Sequence, residues 1–289
     1  MMPIYLDSIT NSWVTRYTTE NSQHTAIECY TRLKKYLDNN KLSMDNWVNS
    51  MSMSEDAKYI QVDEFLRSLK NANQTKKQTL SFIRNYLRVV HKIKLDRDDS
   101  KDFIKLPKIQ NVNREPLTRE IIKDFAENAN KVYSTLFLIQ SSSGMRISET
   151  LALTPNDFDF TYNPIKIKIR AETTKTKSER ITFISKEAFK SLEACFDEFF
   201  EKRTLLAVEK YFGKLRQNLG YNDKYENSRN FYVNIHSMRA FFRTQAGKIN
   251  QDFAESMIGH GYLKQYIRLD DETKAGYYKK VEPLLKIGA

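Results

Sequence analysis

Ile165-Lys166-Ile167-Lys168-Ile169-Arg170 alternates apolar and basic side chains without a break, and Ile181-Thr182-Phe183-Ile184 follows after the polar stretch Glu172–Glu179. Side chains of a strand point alternately to its two faces, so the first run predicts a strand with isoleucines toward a core and a basic outer edge. The two runs are expected to pair as an antiparallel hairpin with a long basic tip carrying Lys175 and Lys177. This is the one clear strand signal in the chain.

On either side the apolar residues recur at helical spacing instead. Residues 131–142, with Val132, Leu136, Phe137, Leu138 and Ile139, are apolar enough to predict a buried helix. Just before it, Thr118 suits an N-cap, with Glu120 in the first turn of a helix running through Phe125. After the hairpin, helices are expected over 186–200, 204–219, 237–247, 251–258 and 271–286. Nearer the start, the spacing predicts helices over 23–39, 57–70 and 76–93, with a less regular one near Met44–Met51. Asn73 and Thr75 are the candidate caps of the 76–93 helix. Residues 99–116 lose periodicity and carry Pro107 and Pro116, which reads as an interdomain linker. The expected division is a helical domain over 1–104, a linker over 105–116 and a second domain over 117–289. The fold class is mainly α with a small antiparallel β-hairpin or sheet. Eight glycines and six prolines in 289 residues fall well below the usual ~7% and ~5%. That argues against turn-rich all-β folds and phosphate-cradling glycine loops.

Lys plus Arg number 47 against 36 Asp plus Glu, a formal net charge of +11. Such a surplus draws polyanions, and nucleic acid comes first among them. No run approaches the ~18 apolar residues of a spanning helix, so no membrane partner is expected. Hydrophobic residues make up 40% of the chain, enough for real cores. Cys29 and Cys195 are too few for a disulfide framework or a four-ligand zinc site, which suits a reducing cytoplasmic setting.

Three features of the second half can carry chemistry. Gly144-Met145-Arg146-Ile147-Ser148-Glu149 opens a helix with an arginine at its N-terminus, suited to bidentate contact with phosphate, and Glu149 can hold that arginine in place. His236-Ser237-Met238-Arg239 puts a histidine and an arginine on one helical face. Ile258-Gly259-His260 precedes a tail rich in tyrosine: Tyr262, Tyr266, Tyr277 and Tyr278. Read singly, each also fits a solvated basic face or plain packing.

Their order is more specific. Arg146, a hairpin lysine, His236-x-x-Arg239, Gly259-His260 and a late tyrosine resemble the tyrosine recombinase (integrase) family, and Ser143–Leu153 looks like that family's first box. Lys175-Thr176-Lys177-Ser178-Glu179-Arg180 resembles its hairpin, with Lys175 in the catalytic lysine's place. The resemblance covers about residues 116–286; the first domain matches only in kind, as a helical core-binding domain. In many members the tyrosine follows the second histidine by about nine residues, where this chain has Leu269. The stretch Gly261–Leu269 looks like an insertion of the sort found in archaeal and archaeal-virus integrases. By that likeness Tyr278, five residues before Pro283, is the expected nucleophile, with Tyr277 its rival.

The resemblance implies a site-specific recombinase that cuts and rejoins DNA through a 3′-phosphotyrosine, for integration or excision of a mobile element or virus. The implied catalytic set is Arg146, Lys175, His236, Arg239, His260 and Tyr278, with no cofactor and no metal. The partners expected are double-stranded DNA and further copies of the chain, as a tetramer on paired sites. Lys76, Lys77, Arg84 and Arg88 in the first domain, with Lys177 and Arg180 on the hairpin, are candidate DNA contacts. A type IB topoisomerase would share the catalytic set, and a non-catalytic DNA-binding protein would share the fold.

Overall fold

A three-stranded antiparallel sheet stands where alternation predicts a hairpin: β1 (Phe158–Asp159), β2 (Lys166–Ile169) and β3 (Arg180–Phe183). Ile167 pairs with Thr182 and Ile169 with Arg180, so both isoleucines face the core while Lys168 stays exposed. The two-residue β1, paired through Phe158 to Ile167, is too short to show a period and is invisible in the sequence.

The computed structural model describes residues 6–106, 117–225, 230–259 and 269–289, and the chain divides into two units, Met1–Asn111 and Val112–Ala289.

The first unit holds six described helices: α1 (Ser8–Val14), α2 (Glu20–Asn39), α3 (Met44–Ser50), α4 (Ala57–Ser68), α5 (Asn73–Val90) and α6 (Arg97–Phe103). They close over a core that includes Trp13, Leu33, Trp47, Phe65, Leu66, Ile83 and Leu87. Two helices depart from expectation. The seven-residue α1 has only Thr10, Trp13 and Val14 buried, too few turns for a periodic signal. The reading of 99–116 as a linker is corrected at its start by α6, whose cap Asp96 accepts from the Asp98 amide at 2.8 Å and which buries Ser100. The rest of that linker, 107–116, lies outside the described residues. Helix α5 begins earlier than the spacing suggests, after Ala72 and without a side-chain cap, so neither Asn73 nor Thr75 caps it.

The second unit adds α7 (Arg119–Asn128), α8 (Lys131–Ser143), α9 (Ile147–Leu151), α10 (Lys186–Glu193), α11 (Phe196–Phe199), α12 (Leu205–Asn218), α13 (Ile235–Gly247), α14 (Gln251–Ile258) and α15 (Asp271–Leu285). Thr118 caps α7 as expected, accepting from the Ile121 amide. Apolar nearly all round, α8 is surrounded by α7, α10, α13 and α15. The single helix expected over 186–200 is two: the chain breaks at Cys195, whose thiol tucks under Thr135 of α8 at 3.2 Å. Both cysteines are buried and free.

Helix α15 is docked on its own chain. Arg119 donates to the carbonyls of Pro283 and Leu284, which are among the last of that helix, and Glu187 accepts from the amides of Ile287, Gly288 and Ala289. Among the described residues no helix is long and apolar enough to cross a membrane.

Candidate active site

Helix α8 ends at Gly144, in the left-handed region at φ +68°. A Cβ there would stand 2.4 Å from the Phe242 ring, so glycine is required for both conformation and space. The turn delivers Arg146 to the N-cap of α9. Glu149, one turn on, reaches back to accept the Arg146 amide (2.8 Å) and the Arg146 guanidinium (2.8 Å). The support that the sequence suggests for Arg146 is therefore present.

The same carboxylate gathers two more arginines. Arg180 of β3 grips it bidentately, Nη1 to Oε1 at 3.1 Å and Nη2 to Oε2 at 2.5 Å. Arg239 of α13 brings Nη1 to 3.9 Å from Oε2. Arg146 and Arg239, 93 residues apart in the numbering, thus meet on one buried group. The Glu149 side chain is 0% exposed, while Arg146 and Arg239 keep 23% and 12% exposure. Burial would raise the Glu149 pKa, but the hydrogen bonds and charges of Arg180 and Arg146 outweigh it and hold the group below its usual value.

Arg239 is aimed by backbone. Its Nη1 donates to the Gly144 carbonyl (2.7 Å) and its Nη2 to the Ile258 carbonyl (2.5 Å), at the C-terminal ends of α8 and α14. Helix ends carry partial negative charge, which suits a guanidinium. Burial and the neighbouring Arg146 lower its pKa to about 10, so it stays charged at neutral pH.

His236 lies in the first turn of α13, exposed and one turn before Arg239; its amide donates to the cap Asn234. Lys175 stands at the exposed hairpin tip and makes no hydrogen bond or ion pair among the described residues, and Lys177 nearby donates to the Glu172 carbonyl. Arg170, in the sequence only the last of the strand's basic edge, braces the hairpin base through Asp157 (3.0 Å) and the Ala152 carbonyl (2.5 Å). His260 lies outside the described residues.

One sequence expectation needs correcting, and another meets a burial that the likeness to the family did not suggest. Arg180, taken as a DNA contact, is buried, with its guanidinium spent on Glu149 and the Met257 carbonyl. Tyr278, the expected nucleophile, is a buried anchor in this structure: it is 0% exposed, packs on Phe183 and donates its hydroxyl to the Ser142 carbonyl at 2.8 Å. Burial pushes its pKa well up, with Glu282 adding to the shift, so the phenol is held neutral. Its neighbours Ala275, Val281 and Leu285 are also buried, and that helical spacing was the available signal. Tyr277 is half-buried with its ring 5.6 Å from that of Phe253.

In the first unit, Arg84, Arg88, Lys94 and Arg97 line a cleft of about 620 Å³ with Tyr17 and Phe82 beside them. The Arg84 Nε is buried without a hydrogen-bond partner among the described residues, and burial together with the nearby Arg97 lowers its pKa. Lys76 and Lys77 lie in the first two turns of α5.

No curated protein matches the chain. Solved structures with the same fold include a Tn1549 transposon integrase in complex with transposon right end DNA (15% identity, 94% of this chain and 98% of that one, TM-score 0.61). A lambda integrase dimer bound to a COC′ core site is similar too (13% identity, 90% and 98% covered, TM-score 0.63). A third is a XerH site-specific recombinase bound to difH (19% identity, 74% and 67% covered, TM-score 0.52). At such identities these likenesses establish the fold. The family itself is established by sequence, since the model described as "Phage integrase family" matches residues 115–268, over half of the chain. The box that delivers Arg146, the sheet that delivers Arg180 and the helix that delivers Arg239 all fall inside that match, and this chain belongs to the phage integrase family of tyrosine recombinases.

Proposed function

We propose that this protein is a site-specific DNA recombinase that binds double-stranded DNA and cuts and rejoins its strands through a 3′-phosphotyrosine. The observation that carries the reading is the meeting of Arg146 and Arg239 on Glu149, each with guanidinium surface left exposed. A phosphodiester is anionic, and negative charge builds on its oxygens as a nucleophile adds. Two fixed guanidiniums offset that charge, and losing one preorganised donor typically costs on the order of 10²–10³ in rate.

In the proposed step the tyrosine oxygen bonds to phosphorus while the bond from phosphorus to the 5′ oxygen breaks. His236 takes the phenol proton and Lys175, free at the hairpin tip, gives one to the leaving oxygen. His260 would hydrogen-bond the phosphate or the tyrosine. Attack by another strand's 5′-hydroxyl reverses the chemistry and frees the tyrosine, so one phosphodiester replaces another without ATP.

For the nucleophile we favour Tyr266. Tyr278 is committed to Ser142 and Tyr277 packs on Phe253. Two tail phenols remain after His260, Tyr262 and Tyr266, both outside the described residues. The family match ends at residue 268, taking in both and leaving out Tyr277 and Tyr278. Tyr266 has the spacing nearer the usual one after the second histidine.

The first unit would act as the core-binding domain, with Arg84, Arg88, Lys76 and Lys77 on phosphates. Four copies would assemble on paired sites, in the cytoplasm, to integrate or excise a mobile element; the stretch after His260 supports an archaeal or archaeal-virus relationship. The test is covalent capture from a randomised library of nicked duplexes. Recovery of one sequence class on the protein supports site-specific recombination. Capture without sequence preference would favour a topoisomerase, and retardation without capture a DNA-binding protein only.

A further inference from the structure

We propose that Arg180 is a positioning residue for strand cleavage: by carrying the negative charge of Glu149 it leaves Arg146 and Arg239 free to act on the phosphate. The inference rests on the function proposed above.

Three guanidiniums surround one carboxylate, so three positive charges less one leave two. Arg180 is the member least able to meet DNA: its side chain is 5% exposed, against 23% for Arg146 and 12% for Arg239. It also holds the shortest and only bidentate grip on Glu149, the geometry in which arginine binds carboxylate most strongly. Without it, the buried carboxylate would have Arg146 and Arg239 as its only cations among the described residues, and the charge facing DNA would fall from two to one. A buried anion deprived of its main partner draws in the nearest remaining cation.

Arg180 has a second hold. Its Nε donates at 2.9 Å to the Met257 carbonyl, in the last turn of α14. A Cβ on Gly259 would stand 3.0 Å from the Arg180 side chain, so this arginine walls the turn that leads to His260. One side chain therefore links strand β3, the box around Arg146 and the exit of α14.

The test is a double-mutant cycle in the full chain, read as the single-turnover rate of covalent adduct formation on the nicked duplex recovered by capture. R180M should slow the single-turnover rate at saturating duplex by about 10²-fold. E149Q added to R180M removes the stranded anion, restores two positive charges and should recover at least tenfold of that loss. R180K, which keeps the cation but not the fork, should fall between wild type and R180M. Melting temperatures identify any variant that has failed to fold, and R180K remains as the milder substitution. If R180M cleaves like the wild type, or the double variant is no faster than R180M, Arg180 is a packing residue and the proposal is wrong. A wild type that forms no adduct on any duplex would instead overturn the function proposed above.

Discussion

The hydroxyl of Tyr278 donates to the main-chain carbonyl of Ser142, 2.8 Å away and two residues before the glycine that turns the chain toward Arg146. A phenol near the C-terminus is thus a prop beneath the arginine loop. Tyr278→Phe should keep covalent capture of DNA while losing about 1–3 kcal/mol of stability in denaturant unfolding, because a buried carbonyl loses its donor. Tyr266→Phe should behave oppositely, folding as the wild type and forming no adduct. An adduct that disappears in Tyr278→Phe but survives in Tyr266→Phe would return the chemistry to α15.

Lys175 is exposed and uncommitted, so Lys175→Ala should leave the melting temperature unchanged. Cleavage should slow by about 10²–10⁴-fold, the usual contribution of a positioned proton donor. A duplex whose 5′-bridging oxygen is replaced by sulfur gives a leaving group that needs no proton. That substrate should restore the rate of the variant, and failure of the rescue would remove Lys175 from the acid's role.

Gly144→Ala should be damaging for two separable reasons. Left-handed backbone costs a residue with a Cβ about 1–2 kcal/mol, and the new carbon would meet Phe242 at 2.4 Å. Gly213→Ala is the control: it lies within α12 with nothing within 4 Å, and should be neutral or stabilising. Thermal melts of the pair check the contrast.

Acid should strike the arginine cluster through Glu149. Its folded pKa lies below the ordinary 4.5, so its contribution is complete above that value and is lost as pH falls through the folded one. Urea unfolding should show wild-type stability declining more steeply below pH 4.5 than that of Glu149→Gln, with the two curves converging toward low pH. Parallel curves would show that the carboxylate does not stabilise the fold in its ionised form.

Arg84→Ala and Arg88→Ala should each reduce the slope of log affinity for DNA against log salt by about 0.9, one phosphate contact apiece. A gel or fluorescence titration at several salt concentrations measures it. An unchanged slope would place both arginines away from the backbone of the duplex.

The features legible in the sequence are those set by local periodicity. Ile167 and Ile169 declare their strand, Leu136 to Ile139 their buried helix, and Arg146 with Glu149 can be paired by spacing alone. Arg180 could not be placed that way. A charged residue at the foot of a basic hairpin reads as solvated, and only the fold brings Glu149 from 31 positions upstream to bury it. The burial of Tyr278 is hidden for the opposite reason: its apolar spacing with Ala275 and Val281 is visible, but the likeness of the tail to a catalytic motif outweighs it. Helix α6 is missed in the aperiodic stretch from 99 because it is short and polar, held by its Asp96 cap more than by an apolar stripe.

The Ile258 carbonyl that steadies Arg239 is followed at once by Gly259, held at φ +72° against Arg180, and then by the stretch containing His260 and Tyr266. Whatever follows Gly259 in the chain therefore starts one peptide from the carbonyl that holds Arg239. A change in the length of residues 260–265 would leave that fixed point, and the hydrogen bond from Arg239 to the Ile258 carbonyl, where they are.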